Sequence, residues 1–103
     1  MAAAPDFDRK AFEAHLRAQG RWIDRTVDEL VVEAASRFPE RDAIVAYRAD
    51  SKGVAPTRIT YAQLAAMAAR AAAALRRLGV GPRDVVSLQL PNGWQFVVAV
   101  LAC

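Results

Sequence analysis

Apolar positions along the chain fall into three helical stripes, two short extended runs, one near-continuous apolar strand and a final segment that is apolar all round. In residues 8–19, DRKAFEAHLRAQ, Phe12 and Leu16 stand four apart among charged neighbours, which predicts a short amphipathic helix stopped by Gly20. Thr26 followed by Glu29 has the spacing of a reciprocal capping box, the threonine oxygen accepting from an orphan amide and the glutamate reaching back, so a helix should start at Val27. From there Val27, Leu30, Val31, Ala34 and Phe38 share one face, while Glu29, Glu33 and Arg37 step along another at four-residue spacing. Pro39 ends that helix.

Residues 42–48, DAIVAYR, are short and partly β-branched; the turn-rich ADSKGVAP follows and leads to TRIT at 57–60, which predicts a β-hairpin with a loose loop. Thr60 and Gln63 repeat the capping-box spacing. The helix they open carries Tyr61, Leu64, Ala68, Ala71, Leu75 and Leu78 on one face and Gln63, Arg70 and Arg77 on a polar stripe. With so much alanine on its contact face it should approach a neighbour closely and lie flat on a sheet. Gly79 supplies a left-handed C-terminal cap and Pro82 a stop.

DVVSLQL (84–90) has the pattern of a strand covered on both faces in a parallel sheet, and Pro91, Asn92 and Gly93 break it. WQFVVAVLAC has one polar residue, so a helix there must be buried on every side, which so short a chain cannot provide. The order helix, helix, hairpin, helix, strand, helix defines an α/β protein whose last two elements open a βαβ unit lacking its second strand. The sequence also stops inside an apolar run without a polar end. An incomplete domain, cut from a larger protein, is the expectation.

Composition narrows the class. At 103 residues, 54% hydrophobic and 24% charged, the chain is one globular unit, neither disordered nor collagen-like. The formal charge of +3 raises the question of an acidic partner, but twelve of the fourteen basic residues are arginines scattered from Arg9 to Arg83 among eleven carboxylates. That distribution describes solvated helix faces, and no nucleic-acid partner is expected. The single cysteine, Cys103, has no intrachain disulfide partner. MAAAPDFDRK meets Asp6 and Asp8 before any apolar stretch, the opposite of a secretory signal, so a cytoplasmic protein is expected. The longest apolar run, 96–103, is far below the about 20 residues of a spanning helix, and no transmembrane segment is predicted.

Candidate chemistry is sparse. GVGPRD (79–84) imitates a glycine-rich phosphate fingerprint, but it follows a helix and precedes a strand, the reverse of the required order, and lacks the third glycine; it reads as a helix cap and turn. No GxxxxGK[ST], HExxH, GxSxG or CxxC motif occurs. His15 stands alone on a charged helix and reads as a surface residue, Cys103 as a small buried hydrophobe. Trp94 and Phe96 follow a Pro-Asn-Gly turn after a strand, where open α/β sheets place ligand-facing loops. Because they open a wholly apolar segment, core packing is the reading adopted, as it is for Tyr61.

The segment RITYAQLAAMAARAAAALRRLGVGPRDVVSLQLPNGWQFVVAVLAC resembles the N-terminal part of AMP-forming acyl-CoA synthetases, in which a TYxxL helix start, an LGVxxGDxV turn and an LPN strand end recur in this order. The resemblance runs from about Thr26 to Cys103. Two departures are Arg83-Asp84 in place of the usual Gly-Asp, and a longer DSKGVAP loop. The resemblance implies the start of the large adenylate-forming synthetase domain over 26–103, truncated, preceded by an N-terminal helical extension over 1–25. It implies a ligase that activates a fatty, alicyclic or aromatic carboxylic acid, with a likeness to cyclohexanecarboxylate-CoA ligases. In that reaction the carboxylate attacks the α-phosphate of ATP to give an acyl-adenylate and pyrophosphate, then the thiol of coenzyme A displaces AMP; magnesium offsets the phosphate charge.

The family's phosphate loop, adenine-contacting aromatic, ribose-binding aspartate and catalytic lysine all lie downstream of the matched region. No catalytic, cofactor-binding or metal-binding residue is therefore expected within 1–103, and the chain alone should be inactive; ATP, magnesium and coenzyme A are implied for the full-length enzyme. The alternative is a non-catalytic remnant or interaction module that pairs through an exposed apolar C-terminal surface.

Overall fold

The computed structural model describes residues 6–50 and 52–103. The first five residues, on which the reading of the N-terminus partly rests, and Ser51 in the hairpin loop lie outside them. Helix α1 spans Arg9–Ala18, α2 Val27–Arg37, β1 Asp42–Ala46, β2 Thr57–Thr60, α3 Tyr61–Arg77 and α4 Trp94–Ala102.

The starts of α1, α2 and α3 follow from their first residues. Asp8 caps α1, its carboxylate accepting from the Ala11 amide at 3.0 Å. The Phe7 and Phe12 rings pack at 5.3 Å, a hydrophobic staple across the cap that the sequence reading did not single out. Both predicted capping boxes form. Thr26 Oγ1 accepts from Glu29 N at 3.2 Å while Glu29 accepts from Thr26 N at 3.0 Å. Thr60 and Gln63 do the same for α3, at 3.2 and 2.9 Å.

Helix ends are closed just as locally. At α3 the Val80 amide donates to Leu75 O and the Gly79 amide to Arg76 O, both at 3.0 Å, with Gly79 at φ +91°. That is the Schellman arrangement, and it needs the left-handed residue that glycine supplies without a Cβ clash. The same pair of bonds ends α1 at Gly20, from Arg21 N to Leu16 O and from Gly20 N to Arg17 O.

β1 and β2 pair antiparallel as predicted, with Ile44 opposite Ile59 and Ala46 opposite Thr57. The register shifts between Asp42 and Ile44. A bulge there turns neighbouring residues to one side, and Ala43 and Ile44 both pack on the core of Ile59, Leu64 and Val98. Arg58 and Asp42 form an ion pair across the hairpin.

Thr60 is the last residue of β2 and the N-cap of α3, so strand runs into helix without a spacer. The next two amides find partners in the α2–β1 connection: Tyr61 N donates to Arg41 O at 3.0 Å and Ala62 N to Pro39 O at 3.2 Å. Together with the bond from Gln63 N to Thr60, this satisfies the first three amides of α3, which in an isolated helix have no partner.

Two expectations are corrected. Helix α3 packs chiefly against α4 and α2 and only secondarily on the hairpin, rather than lying flat on a sheet. Among the described residues the only sheet is two-stranded, which is too small to support a helix of that length. Residues 84–90 form no strand ladder, since no described segment pairs with them. Their burial still alternates, Val86 and Leu88 half-buried and Val85, Ser87 and Gln89 exposed, so one face is covered where two were expected. Helix α4 is covered on one side alone, in keeping with the cover that so short a chain can provide: Val98 is in the core, while Phe96, Val97 and Val100 are exposed.

The core is correspondingly thin, with Ile59, Leu64, Ala68 and Val98 its buried apolar members among the described residues. The Cα radius of gyration is 18.3 Å, against about 13 Å for a compact domain of this length. Stability therefore leans on local caps more than on burial. Replacing Thr60 by Ala should cost about 1 kcal/mol, and Thr60→Ser much less, read as a shift of the urea midpoint. Equal midpoints for wild type and Thr60→Ala would contradict the reading.

Candidate functional site

Two surface features place polar groups beside apolar walls. The first is a groove of about 370 Å³ between β2, the first turns of α3 and the start of α4. Its floor is Ile59 and Met67, one wall is Trp94, and Gln63, Arg58 and Arg70 stand along it. The Pro91-Asn92-Gly93 turn delivers Trp94 to the first position of α4, where the half-buried indole packs against the Ile59, Leu64 and Val98 cluster. Ile59 comes from the inward face of β2 and Arg70 from the polar stripe of α3, so the groove is set by the strand period and the helix period meeting at Thr60.

The second is the turn after α3. Gly81 N donates to Asp84 Oδ2 at 2.6 Å and Asp84 N to Gly81 O at 3.1 Å. With Gly79 N and Val80 N spent on the helix cap, the amides of Gly79, Val80, Gly81 and Asp84 are all bonded within the protein. The geometry is that of a cap and turn, as the residue order indicated. Arg83 adopts φ +70° at the third position of the Gly81–Asp84 turn, after Pro82, the place where a type II turn calls for glycine. This is the position at which the usual Gly-Asp is replaced by Arg83-Asp84.

Several other charges are used in pairing. Arg9 pairs with Glu13 at 2.8 Å, and Glu33 holds both Arg25 and Arg37. Arg17 pairs with Asp24 and lies over the Trp22 ring at 5.4 Å, fastening the α1–α2 linker to α1. The hydrogen bond from Arg17 holds the Asp24 carboxyl below its ordinary range, and that from Arg25 does the same for Glu33. Depressed carboxyl pKa values give stability that is present above the unfolded value and is lost as pH falls through the folded one. These pairs are solvent-exposed, so the effect is small.

His15 lies exposed on α1, as expected. Tyr61 is half-buried at the start of α3. The two aromatics after the turn separate: Trp94 packs on the core, whereas Phe96 is 38% exposed, because residues two apart on a helix point to nearly opposite sides. Cys103, read as a buried hydrophobe, is exposed just beyond the last turn of α4. Among the described residues no group of three His, Cys, Asp or Glu side chains is arranged to hold a metal ion. No helix among them is long and apolar enough to cross a membrane. The groove beside Trp94 was not anticipated as a unit, although Trp94 and Arg70 were each noted; what joins them is the α3–α4 packing, which has no local signal.

The chain matches the AMP-binding enzyme family over residues 31–103 and belongs to it. It is 49% identical to a salicyl-AMP ligase / salicyl-S-ArCP synthetase of Mycobacterium tuberculosis over 86% of this chain and 15% of that protein. It is 38% identical to a 2-hydroxy-7-methoxy-5-methyl-1-naphthoate–CoA ligase of Streptomyces carzinostaticus, over 87% of this chain and 15% of the relative. A salicylyl-CoA synthase / salicylate adenylyltransferase of a Streptomyces species is 36% identical over 84% of this chain and 14% of its own length. The chain thus spans about 15% of the length of these curated relatives. The α/β architecture of four helices and a hairpin is that of an N-terminal piece of such a domain.

A left-handed L-residue costs about 1–2 kcal/mol, partly offset by the about 0.5–1 kcal/mol that glycine loses on ordering. Arg83→Gly should therefore raise stability by up to about 1 kcal/mol, seen as a higher urea midpoint at unchanged slope. A lower midpoint would show that the Arg83 side chain contributes more than its backbone conformation costs.

Proposed function

We propose that this chain serves as part of an adenylate-forming ligase whose substrate is an aromatic carboxylic acid carrying a hydroxyl group ortho to the carboxylate. The observation that carries the reading is the family match over 31–103 together with the names of the relatives. Salicylate is 2-hydroxybenzoate, and the naphthoate has its hydroxyl on the carbon next to the carboxylate-bearing one. The shared group is a planar ring with adjacent hydroxyl and carboxylate. Of the fatty, alicyclic and aromatic acids that the resemblance admitted, the aromatic class has this support.

The chemistry proposed is activation of the acid as an acyl-adenylate at the expense of ATP, followed by transfer to a thiol. The thiol donor is coenzyme A or the pantetheine of a carrier protein, since the relatives' names include both a CoA ligase and an ArCP synthetase. The amides of Gly79, Val80, Gly81 and Asp84 and those at the start of α3 are bonded internally, and among the described residues no group of three His, Cys, Asp or Glu side chains is arranged to hold a metal ion. No reaction step is therefore assigned to a side chain of this chain. Its proposed contribution is structural, the α3-centred scaffold on which the family's domain is built.

A second reading, an interaction module, draws on the exposed Phe96, Val97 and Val100 face of α4. One assay separates the two. Pyrophosphate exchange into ATP by the complete gene product should be driven by salicylate and by 2-hydroxy-1-naphthoate, at least about tenfold better than by benzoate or cyclohexanecarboxylate, because a site built to bond a hydroxyl rejects an acid without one. Equal exchange with cyclohexanecarboxylate would overturn the substrate class, and absence of exchange with every acid would favour the interaction module.

A further inference from the structure

We propose that the groove between β2, α3 and Trp94 is a binding site for a small planar aromatic monoanion, separate from the acid-activating chemistry proposed above. Its volume of about 370 Å³ is at the small end of ligand sites, suited to a single ring. Ile59, 5% exposed, and the half-buried Met67 give an apolar floor, and the half-buried Trp94 gives an aromatic wall against which a ring stacks.

The charge that selects the ligand comes from one residue. Arg58 also lines the groove, but its guanidinium is neutralised by the ion pair with Asp42. Gln63 has its carbonyl oxygen committed to the Thr60 amide, which leaves its NH₂ group as a donor. Arg70 has no ion-pair partner among the described residues, and α3 contains no Asp or Glu. Nor does its guanidinium stack on a ring, as those of Arg17, Arg37 and Arg41 do. A free guanidinium fork beside an aromatic wall matches a ring bearing one carboxylate, which it can hold through two parallel hydrogen bonds. A polyanion would leave charge unmatched, and a neutral ring would leave Arg70 unused.

The site is tested by titrating the protein with benzoate and following the indole N–H resonances of Trp94 and Trp22, without ATP. Trp22 lies outside the groove and serves as the internal control. Benzoate should shift the Trp94 resonance saturably and leave Trp22 in place, while benzyl alcohol and acetate, each lacking one of the two features, should bind at least about tenfold more weakly. Arg70→Gln, a change at an exposed position, should weaken benzoate about tenfold, and Arg70→Lys should recover part of the loss. An unmoved Trp94 resonance, an equal response to benzyl alcohol, or undiminished affinity in Arg70→Gln would each overturn the proposal. Because no ATP is present, failure here leaves the exchange result unaffected, and failure of exchange leaves this titration equally decisive.

Discussion

The structure turns on the junction at Thr60, where a strand becomes a helix with no residue between. Its hydroxyl accepts from Gln63 N, the Gln63 side chain accepts from Thr60 N, and the next two amides are taken by the carbonyls of Arg41 and Pro39. Two of these four bonds close the cap on itself and two tie the α2–β1 connection to the β2–α3 junction. The direction in which α3 leaves the hairpin is thereby fixed, and with it the side of α3 that receives Leu64 and Ala68 into the core. Both α2 and α4 pack on that helix, whose many alanines allow close approach.

At the start of α3 and in the 79–84 turn alike, backbone amides are used within the protein. Helix N-termini bind anions through free amides, but at α3 those amides are consumed by protein carbonyls and a threonine. In the 79–84 turn, Asp84 occupies the place of an external anion. What remains available is side-chain chemistry: the free guanidinium of Arg70 beside Trp94 and the apolar outer face of α4. The second of these accords with a chain that spans about 15% of its relatives' length and a core of few residues.

Local signals in the sequence were read correctly because their physics is local. The Thr26–Glu29 and Thr60–Gln63 boxes, the Gly20 and Gly79 caps and the antiparallel hairpin each involve bonds within a few residues or across one turn. The family resemblance was legible from the order of short signposts, and the match over 31–103 bears it out. The expectations that failed are non-local. Whether 84–90 joins a ladder depends on a partner segment, and whether Phe96 or Cys103 is covered depends on what packs outside α4. The alanine-rich face of α3 suits a sheet or a helix equally, so the sequence did not say which neighbour it would take. The staple of Phe7 on Phe12 was readable from its spacing and was missed, while the groove that joins Arg70 to Trp94 arises only once α4 folds back on α3.

Amide hydrogen exchange tests the central role of the Thr60 junction most directly. Tyr61 and Ala62 occupy the first two positions of a helix, where amides ordinarily lack intramolecular partners and exchange freely. Here they should be protected to the level of the α3 interior and far beyond Arg9 and Lys10, the corresponding positions of α1. Exchange of Tyr61 and Ala62 as fast as that of Arg9 and Lys10 would mean that the α2–β1 connection is not fastened to α3, and the account of the fold would fail at its base.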